Sequence, residues 1–283
     1  MLNGKPLVYQ FNSFFNRLII KSKKLIRNSY QFFYLLVFKK RISNYTNKVE
    51  LIKKEFKYFY YDIGPESGTL QGLNYSGAST HCNQCLHTLA RLTNAKNVLE
   101  IGSYHYRTSN QLGIAIDKNV GKYSEGKVIT LDIIKGGYDS GFSSSLISNH
   151  RVKPYFWHAY KTKDSENLSN LALDSKNMSN AEIVSANTEL LTTILSGNNI
   201  DKLDLIFLDG DHTYEGLKND LEIVRKFADK ETLIVIDNIW DERMLDVKKV
   251  FDELKHQKWN FLEFNDVMFP KNKVQDTVIF IFD

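Results

Sequence analysis

The chain has 283 residues, 42% hydrophobic and 25% charged, with two cysteines. This is a globular composition that excludes a low-complexity disordered chain, a membrane-spanning bundle and a small disulfide-framed domain. The length suits one α/β domain of ordinary size plus an extension. The net charge of +4 hides an asymmetry: residues 1–60 carry 13 Lys and Arg against Glu50 and Glu55, net +11, while the remainder carries 24 basic and 31 acidic residues, net −7.

Residues 1–60 alternate apolar clusters (Phe14-Phe15, Leu18-Ile19-Ile20, Phe32 to Phe38) with basic ones (Lys23-Lys24, Lys39-Lys40-Arg41). That pattern predicts a basic extension of one or two amphipathic helices. Its longest apolar run, Phe32 to Phe38, falls far short of the roughly 20 residues of a membrane span. Two uses stay open. One is peripheral attachment to an anionic membrane surface. The other is packing on its own domain or on a second copy in a homo-oligomer. Nucleic acid is not favoured as a partner, because the aromatics group together instead of interleaving with the basic residues. The sequence shows no signal peptide, so the expected compartment is the cytoplasm, peripheral at the membrane if the extension attaches there.

Residues 61–79, with four glycines and Pro65, read as a linker. The domain proper is expected over 80–283. It opens on a helix from Thr80 to about Arg91 with Cys82, Cys85, Leu86 and Leu89 on one stripe. The cluster His81-Cys82-x-x-Cys85-x-His87 does not support zinc: adjacent His81 and Cys82 point to different sides of a helix, and no second ligand pair follows.

From Asn97 the rhythm is strand then helix, with strands expected near 97–102, 127–132, 181–185, 203–209 and 231–237. Tyr214, Leu217, Leu221, Val224 and Ala228 fall at helical spacing, as do Met244, Val247, Phe251 and Leu254. Two strand-like runs, Trp259 to Phe264 and Thr277 to Phe282, close the chain. Such alternation predicts an α/β fold with a Rossmann-like, doubly wound sheet. Residues 136–180, rich in Ser and Asn, separate the second and third expected strands and read as an insertion that could serve as a substrate lid.

The chemistry gathers at strand ends. Val98-Leu99-Glu100-Ile101-Gly102 ends in glycine, and Val128-Ile129-Thr130-Leu131-Asp132 ends in an acid. Leu203 to Leu208 runs into Asp209-Gly210-Asp211-His212, and Leu233 to Ile236 into Asp237-Asn238. Apolar runs of this kind are buried parallel strands, whose carboxyl ends face the ligand in open α/β sheets. At the first of them a glycine allows close backbone approach and the amides of the next helix face the ligand. At the second, Asp132 can take both hydroxyls of a ribose.

On VLEIG at the first strand and FLDGDHTYEG with Asp220-Leu221 at the fourth, the sequence resembles the class I S-adenosylmethionine-dependent methyltransferases. It is most similar to the branch with the FLDGDHxYEGxxxDL motif. The resemblance covers about residues 77–283 and is nearly residue for residue over Leu208 to Leu221. It implies a seven-stranded, mostly parallel sheet whose last strand, here Thr277 to Phe282, runs antiparallel. It also implies methylation, commonly on oxygen, of a small molecule or a sugar or glycan precursor, with S-adenosylmethionine as cofactor. Carried over, Glu100, Gly102 and Ser103 lie against the cofactor's methionine and ribose portion, with Asp209 beside them. Asp132 holds the ribose hydroxyls, and Asn187 sits near adenine. Asp209, Asp237 and Asn238 match the oxygen ligands of a divalent ion such as magnesium in the metal-dependent members. His212 and Asp211 are the candidate bases; His212 follows Asp209 by three residues, and imidazole accepts a proton near neutrality. His81, His105 and His158 stand further back, supported by position alone.

The turn departs from the family's E-I-G-S-x-x-G pattern. Gly102-Ser103-Tyr104-His105-Tyr106 places a tyrosine where the second glycine is expected. The rival reading follows from it: a non-catalytic, methyltransferase-like scaffold or membrane-associated binding protein with Tyr106 filling the cleft. A nicotinamide-dependent dehydrogenase requires G-x-G-x-x-G after the first strand, which the chain does not supply.

Overall fold

In the computed structural model, residues 22, 52, 56, 80–103, 106–121, 124–132, 147–157, 178–239, 244–257, 260–263 and 278–281 are described. The chain divides into two compact units, Met1–Tyr45 and Thr46–Asp283. In the first, Ser22 is helical and exposed; in the second, Ile52 and Phe56 are helical and buried. The rest of the basic extension and the linker at 61–79 lie outside the described residues. Among the described residues no helix is long and apolar enough to cross a membrane.

The order of elements is α1 (Thr80–Leu92), β1 (Asn97–Ile101), α2 (Arg107–Val120), β2 (Lys127–Asp132), β3 (Val152–Phe156), α3 (Asn180–Gly197), β4 (Leu205–Leu208), α4 (Tyr214–Arg225), β5 (Leu233–Ile236), α5 (Leu245–His256), β6 (Asn260–Glu263) and β7 (Val278–Ile281). The strands form a seven-stranded sheet in the order β3-β2-β1-β4-β5-β7-β6. Its first five strands pair in parallel, and β7 runs antiparallel between β5 and β6. This is the doubly wound architecture expected from the sequence. The chain winds outward from β1 through β2 to β3 and returns to place β4 on the other side of β1. That reversal opens a crevice at the carboxyl ends of β1 and β4.

Successive strand residues face opposite sides. On one side Leu99, Ile101, Ile129, Leu131, Ile206, Leu208, Ile234 and Ile236 pack with the buried stripes of α3, α4 and α5 in one apolar core. Glu100 and Thr130 face the other side, towards α2, whose Ser109 reaches Glu100. Cys82 and Cys85 of α1 are buried and form no disulfide, and His87 contacts the Gln111 carbonyl through Nδ1.

Two expectations need correction. Residues 181–185 are not the third strand; they are the first turns of α3. Ser179 and Glu182 form a capping box there, and Ile183, Val184, Asn187, Leu191, Ile194 and Leu195 make a helical buried stripe. The third strand is β3, inside the stretch read as an insertion, so 136–180 is not one continuous lid segment. Among the described residues β3 is an edge strand paired with β2, and Pro154 sits opposite Thr130, an edge position that tolerates a missing N–H.

Arg151 fixes the approach to β3. Its guanidinium is buried, pairs with Asp117 of α2, and donates to the carbonyls of Gly121, Ser124 and Gly126 at 2.7–2.9 Å. Replacing Arg151 by Met leaves Asp117 and three carbonyls without this donor. The expected loss is about 3 kcal/mol of stability, read from urea unfolding; a variant within 0.5 kcal/mol, roughly the scatter of ordinary surface changes, would show that the network does not hold this corner.

Candidate active site

Four strand ends meet at one edge because the ladder continues past each strand. Gly102 N–H donates to Leu131 O at 2.8 Å, Asp209 N–H to Ile101 O at 2.8 Å, and Asp237 N–H to Leu208 O at 3.1 Å. Glu100, Asp132, Asp209 and Asp237 therefore share the carboxyl edge of β1, β2, β4 and β5.

Gly102 makes the crevice tight. Its φ is +89°, and a Cβ there would lie 2.0 Å from the Asp209 carbonyl oxygen, so only glycine lets the two strand ends touch. The following Ser103 donates its backbone N–H to Asp132 Oδ2 at 3.0 Å and its hydroxyl to the same oxygen at 3.3 Å. Asp132 is thereby aimed across the end of β1.

Glu100 is fully buried beneath this turn. Its Oε2 accepts hydrogen bonds from Ser109 and Thr130, and its Oε1 is buried without a partner. Burial is the largest influence on its carboxyl. The Ser109 and Thr130 hydrogen bonds oppose it, the charges of Asp209 and Asp132 add to it, and the pKa is pushed up to about 8. The sequence reading missed Ser109 and Thr130 as supporting residues. The signal was a lone threonine within an apolar strand, paired in register with Glu100.

On the β4–β5 side three side chains converge. Asp209 Oδ1 lies 3.0 Å from Asn238 Nδ2 and 3.3 Å from His212 Nε2, and the last two atoms are 3.1 Å apart. Burial pulls the His212 imidazole down, but the Asp209 contact and the charges of Asp209, Asp237 and Asp211 outweigh it and hold its pKa above the ordinary value. Asp237 is buried one residue before Asn238, and its charge also reaches Cys85. Among the described residues no three His, Cys, Asp or Glu side chains gather in metal-holding geometry. Asp209 and Asn238, two of the three expected metal ligands, do meet.

The other two residues singled out by sequence, Asp211 and Asn187, are buried. Asp211 turns inward: its Oδ1 accepts Thr213 N–H at 2.8 Å, and its Oδ2 is buried without a partner where a Cβ on Gly216 would fall, 2.0 Å away. Beneath it, buried Asp220 accepts the Asp211 N–H, and burial followed by the Asp211 charge raises the Asp220 carboxyl well above its usual range. The two acids brace the β4–α4 loop from inside. Asn187, expected beyond the third strand and near adenine, lies instead on the buried stripe of α3. The helix, not a strand end, is what carries it. Tyr106 caps α2 in the left-handed region, φ 57° and ψ 18°, with its side chain buried. The side chains of His81, His105 and His158 lie outside the described residues.

Glu100 carries a consequence for stability. Its carboxyl keeps a proton in the folded chain between about pH 4.5 and about pH 8, where the unfolded chain has released it. Its contribution is therefore present below that window and is lost as pH rises through it. Urea midpoints should fall between pH 5 and pH 8 in the wild type and fall less in Glu100→Gln; equal slopes in both would mean that Glu100 does not hold the proton.

Residues 99–239 match the family model described as a methyltransferase domain. No curated protein matches the chain. Among solved structures, it is similar to the O-methyltransferase TomG from Streptomyces achromogenes, involved in tomaymycin synthesis and in complex with SAM. There the identity is 15% over 77% of this chain and 87% of that one, with a TM-score of 0.46. It is also similar to the O-methyltransferase from Bacillus cereus in complex with SAH, at 14% identity over 86% of this chain and 100% of that one, TM-score 0.46.

Proposed function

We propose that this chain, whose residues 99–239 belong to the methyltransferase-domain family and whose seven-stranded sheet is mostly parallel with an antiparallel last strand, transfers a methyl group from S-adenosylmethionine to a hydroxyl oxygen of a small molecule or glycan precursor. The observation that carries the reading is the edge shared by Glu100, Asp132, Asp209 and Asp237 at the β1/β4 reversal, with Gly102 closing it. The residues present suit the cofactor. Asp132, held by Ser103, would take a ribose diol, and the unpartnered Oε1 of Glu100, which carries the proton below about pH 8, offers a hydrogen-bond donor beneath the turn. When bound, S-adenosylmethionine supplies the electrophilic methyl group.

The chain's own work is then alignment and proton removal. His212 is the group to take the acceptor's proton: it is partly exposed at the edge and its imidazole is oriented by Asp209 and Asn238. Asp209 and Asn238, with Asp237 behind them, would hold a divalent ion. Turning the Asn238 amide end for end presents its oxygen to the same point, and oxygen donors of this kind suit magnesium. Such an ion would lower the pKa of the acceptor hydroxyl.

The buried ring of Tyr106 is a described feature that would suit a non-catalytic scaffold. Against that reading stand the intact set of edge acids and the oriented imidazole, which a scaffold does not require.

Calorimetric titration with S-adenosylhomocysteine tests the reading. Binding that is weakened at least about ten-fold by Asp132→Ala, the loss of roughly one good hydrogen-bonded contact to charge, is expected; no binding at millimolar concentration by the folded wild type or by a folded variant lacking the Tyr106 ring would end it. With radiolabelled S-adenosylmethionine and a panel of hydroxyl acceptors, His212→Ala should lower kcat by about 100-fold or more with cofactor affinity unchanged. Chelation should slow turnover and added magnesium restore it; turnover indifferent to both would remove the ion.

A further inference from the structure

Tyr106, after β1, has the left-handed backbone that glycine adopts readily while carrying an aromatic ring. Tyr106 stands where the family pattern has its second glycine, and its backbone is left-handed, φ 57° and ψ 18°. Residues with a Cβ adopt that region rarely, and where they do so at a ligand edge the surroundings must hold them. Two backbone hydrogen bonds do this: Tyr106 N–H donates to Ser103 O at 2.7 Å, and Tyr106 O accepts Asn110 N–H, in the first turn of α2, at 2.9 Å.

The ring is 2% exposed. Strand alternation places Glu100 and Asp132 on the α2 side of the sheet, and Ser103, Ser109 and Thr130 bind those two carboxylates there. The Tyr106 phenol lies in the field of the same two acids; burial, then Asp132, then Glu100 raise its pKa. A buried ring, a left-handed backbone and two ligand-facing carboxylates thus occupy one small region.

We propose that the Tyr106 ring is a displaceable plug of the cofactor cleft: it fills the space over Glu100 and Asp132 that a glycine leaves open, and it must swing aside as the cofactor enters. This rests on the cofactor reading above and adds to it a residue that sets affinity. Ring and cofactor compete for one volume, so the observed dissociation constant is the intrinsic one divided by the fraction of molecules with the ring displaced. A ring closed nine-tenths of the time weakens binding about ten-fold.

The test is titration of the full chain with S-adenosylhomocysteine for the wild type, Tyr106→Gly, Tyr106→Asn and Tyr106→Phe. Glycine and asparagine both accept a left-handed backbone without the ring. Each should bind about ten-fold or more tightly than the wild type, with the gain in the association rate by stopped flow. Tyr106→Phe should match the wild type within about two-fold, because the ring and not the hydroxyl fills the space. The asparagine variant keeps the test available if the glycine variant does not fold. Wild-type binding with equal or weaker binding by natively folded Gly and Asn variants overturns the plug and leaves the cofactor reading standing. Absence of binding by all four folded proteins overturns the cofactor reading, and the plug with it.

Discussion

The contact on which the site depends is a backbone one. Gly102 and Asp209 approach so closely that a methyl group on the first would stand 2.0 Å from the carbonyl oxygen of the second. Everything chemical is hung on one or the other of these two strand ends. Ser103, immediately after Gly102, aims Asp132; Asp209 orients His212 and meets Asn238. The sheet reverses its winding between β1 and β4, so the two ends would be neighbours in any doubly wound fold. The missing side chain at Gly102 turns that neighbourhood into a single crevice a nucleoside can span.

Electrostatics then narrow what the crevice can hold. Glu100, Asp132, Asp209 and Asp237 lie at one edge, and two of them, Glu100 and Asp237, are buried. Buried carboxylates in each other's field are costly unless protonated or matched by positive charge. Glu100 takes the first course, with its pKa near 8, and His212 supplies part of the second. A ligand that brings its own positive charge, as a sulfonium with an ammonium group does, relieves what remains. Asp211 and Asp220 belong to a separate account. They are turned into the protein and brace the loop, so the motif that looks densest in chemistry divides into an outward pair, Asp209 and His212, and an inward pair.

The sequence was legible where burial on both faces wrote it plainly. β1, β2, β4 and β5 are near-continuous apolar runs because helices cover them on two sides, and their terminal acids marked the edge correctly. β3 was not legible for the opposite reason. As an edge strand with Lys153, Pro154 and Tyr155 partly exposed, it shows neither an apolar run nor clean alternation. The adjacent β-branched pair Ile183-Val184 drew the strand assignment instead, although Ser179 and Glu182 already spelled a helix start. The expectation that Asn187 stands just beyond a strand end followed directly from that error.

Tyr106 shows a different limit of pattern reading. A glycine replaced by tyrosine at a ligand turn admits two physical outcomes: the backbone relaxes to a conformation that suits the new side chain, or the surroundings force it to keep the old one. Residue types alone do not choose between them. Here the choice is made by Ser103 and Asn110, whose backbone groups need Tyr106 in the left-handed region for β1 to hand over to α2. The start of α2, which would present its amides to a ligand, therefore follows directly on Tyr106 with the ring buried beside it. The retained geometry is what makes the ring a component of the cleft.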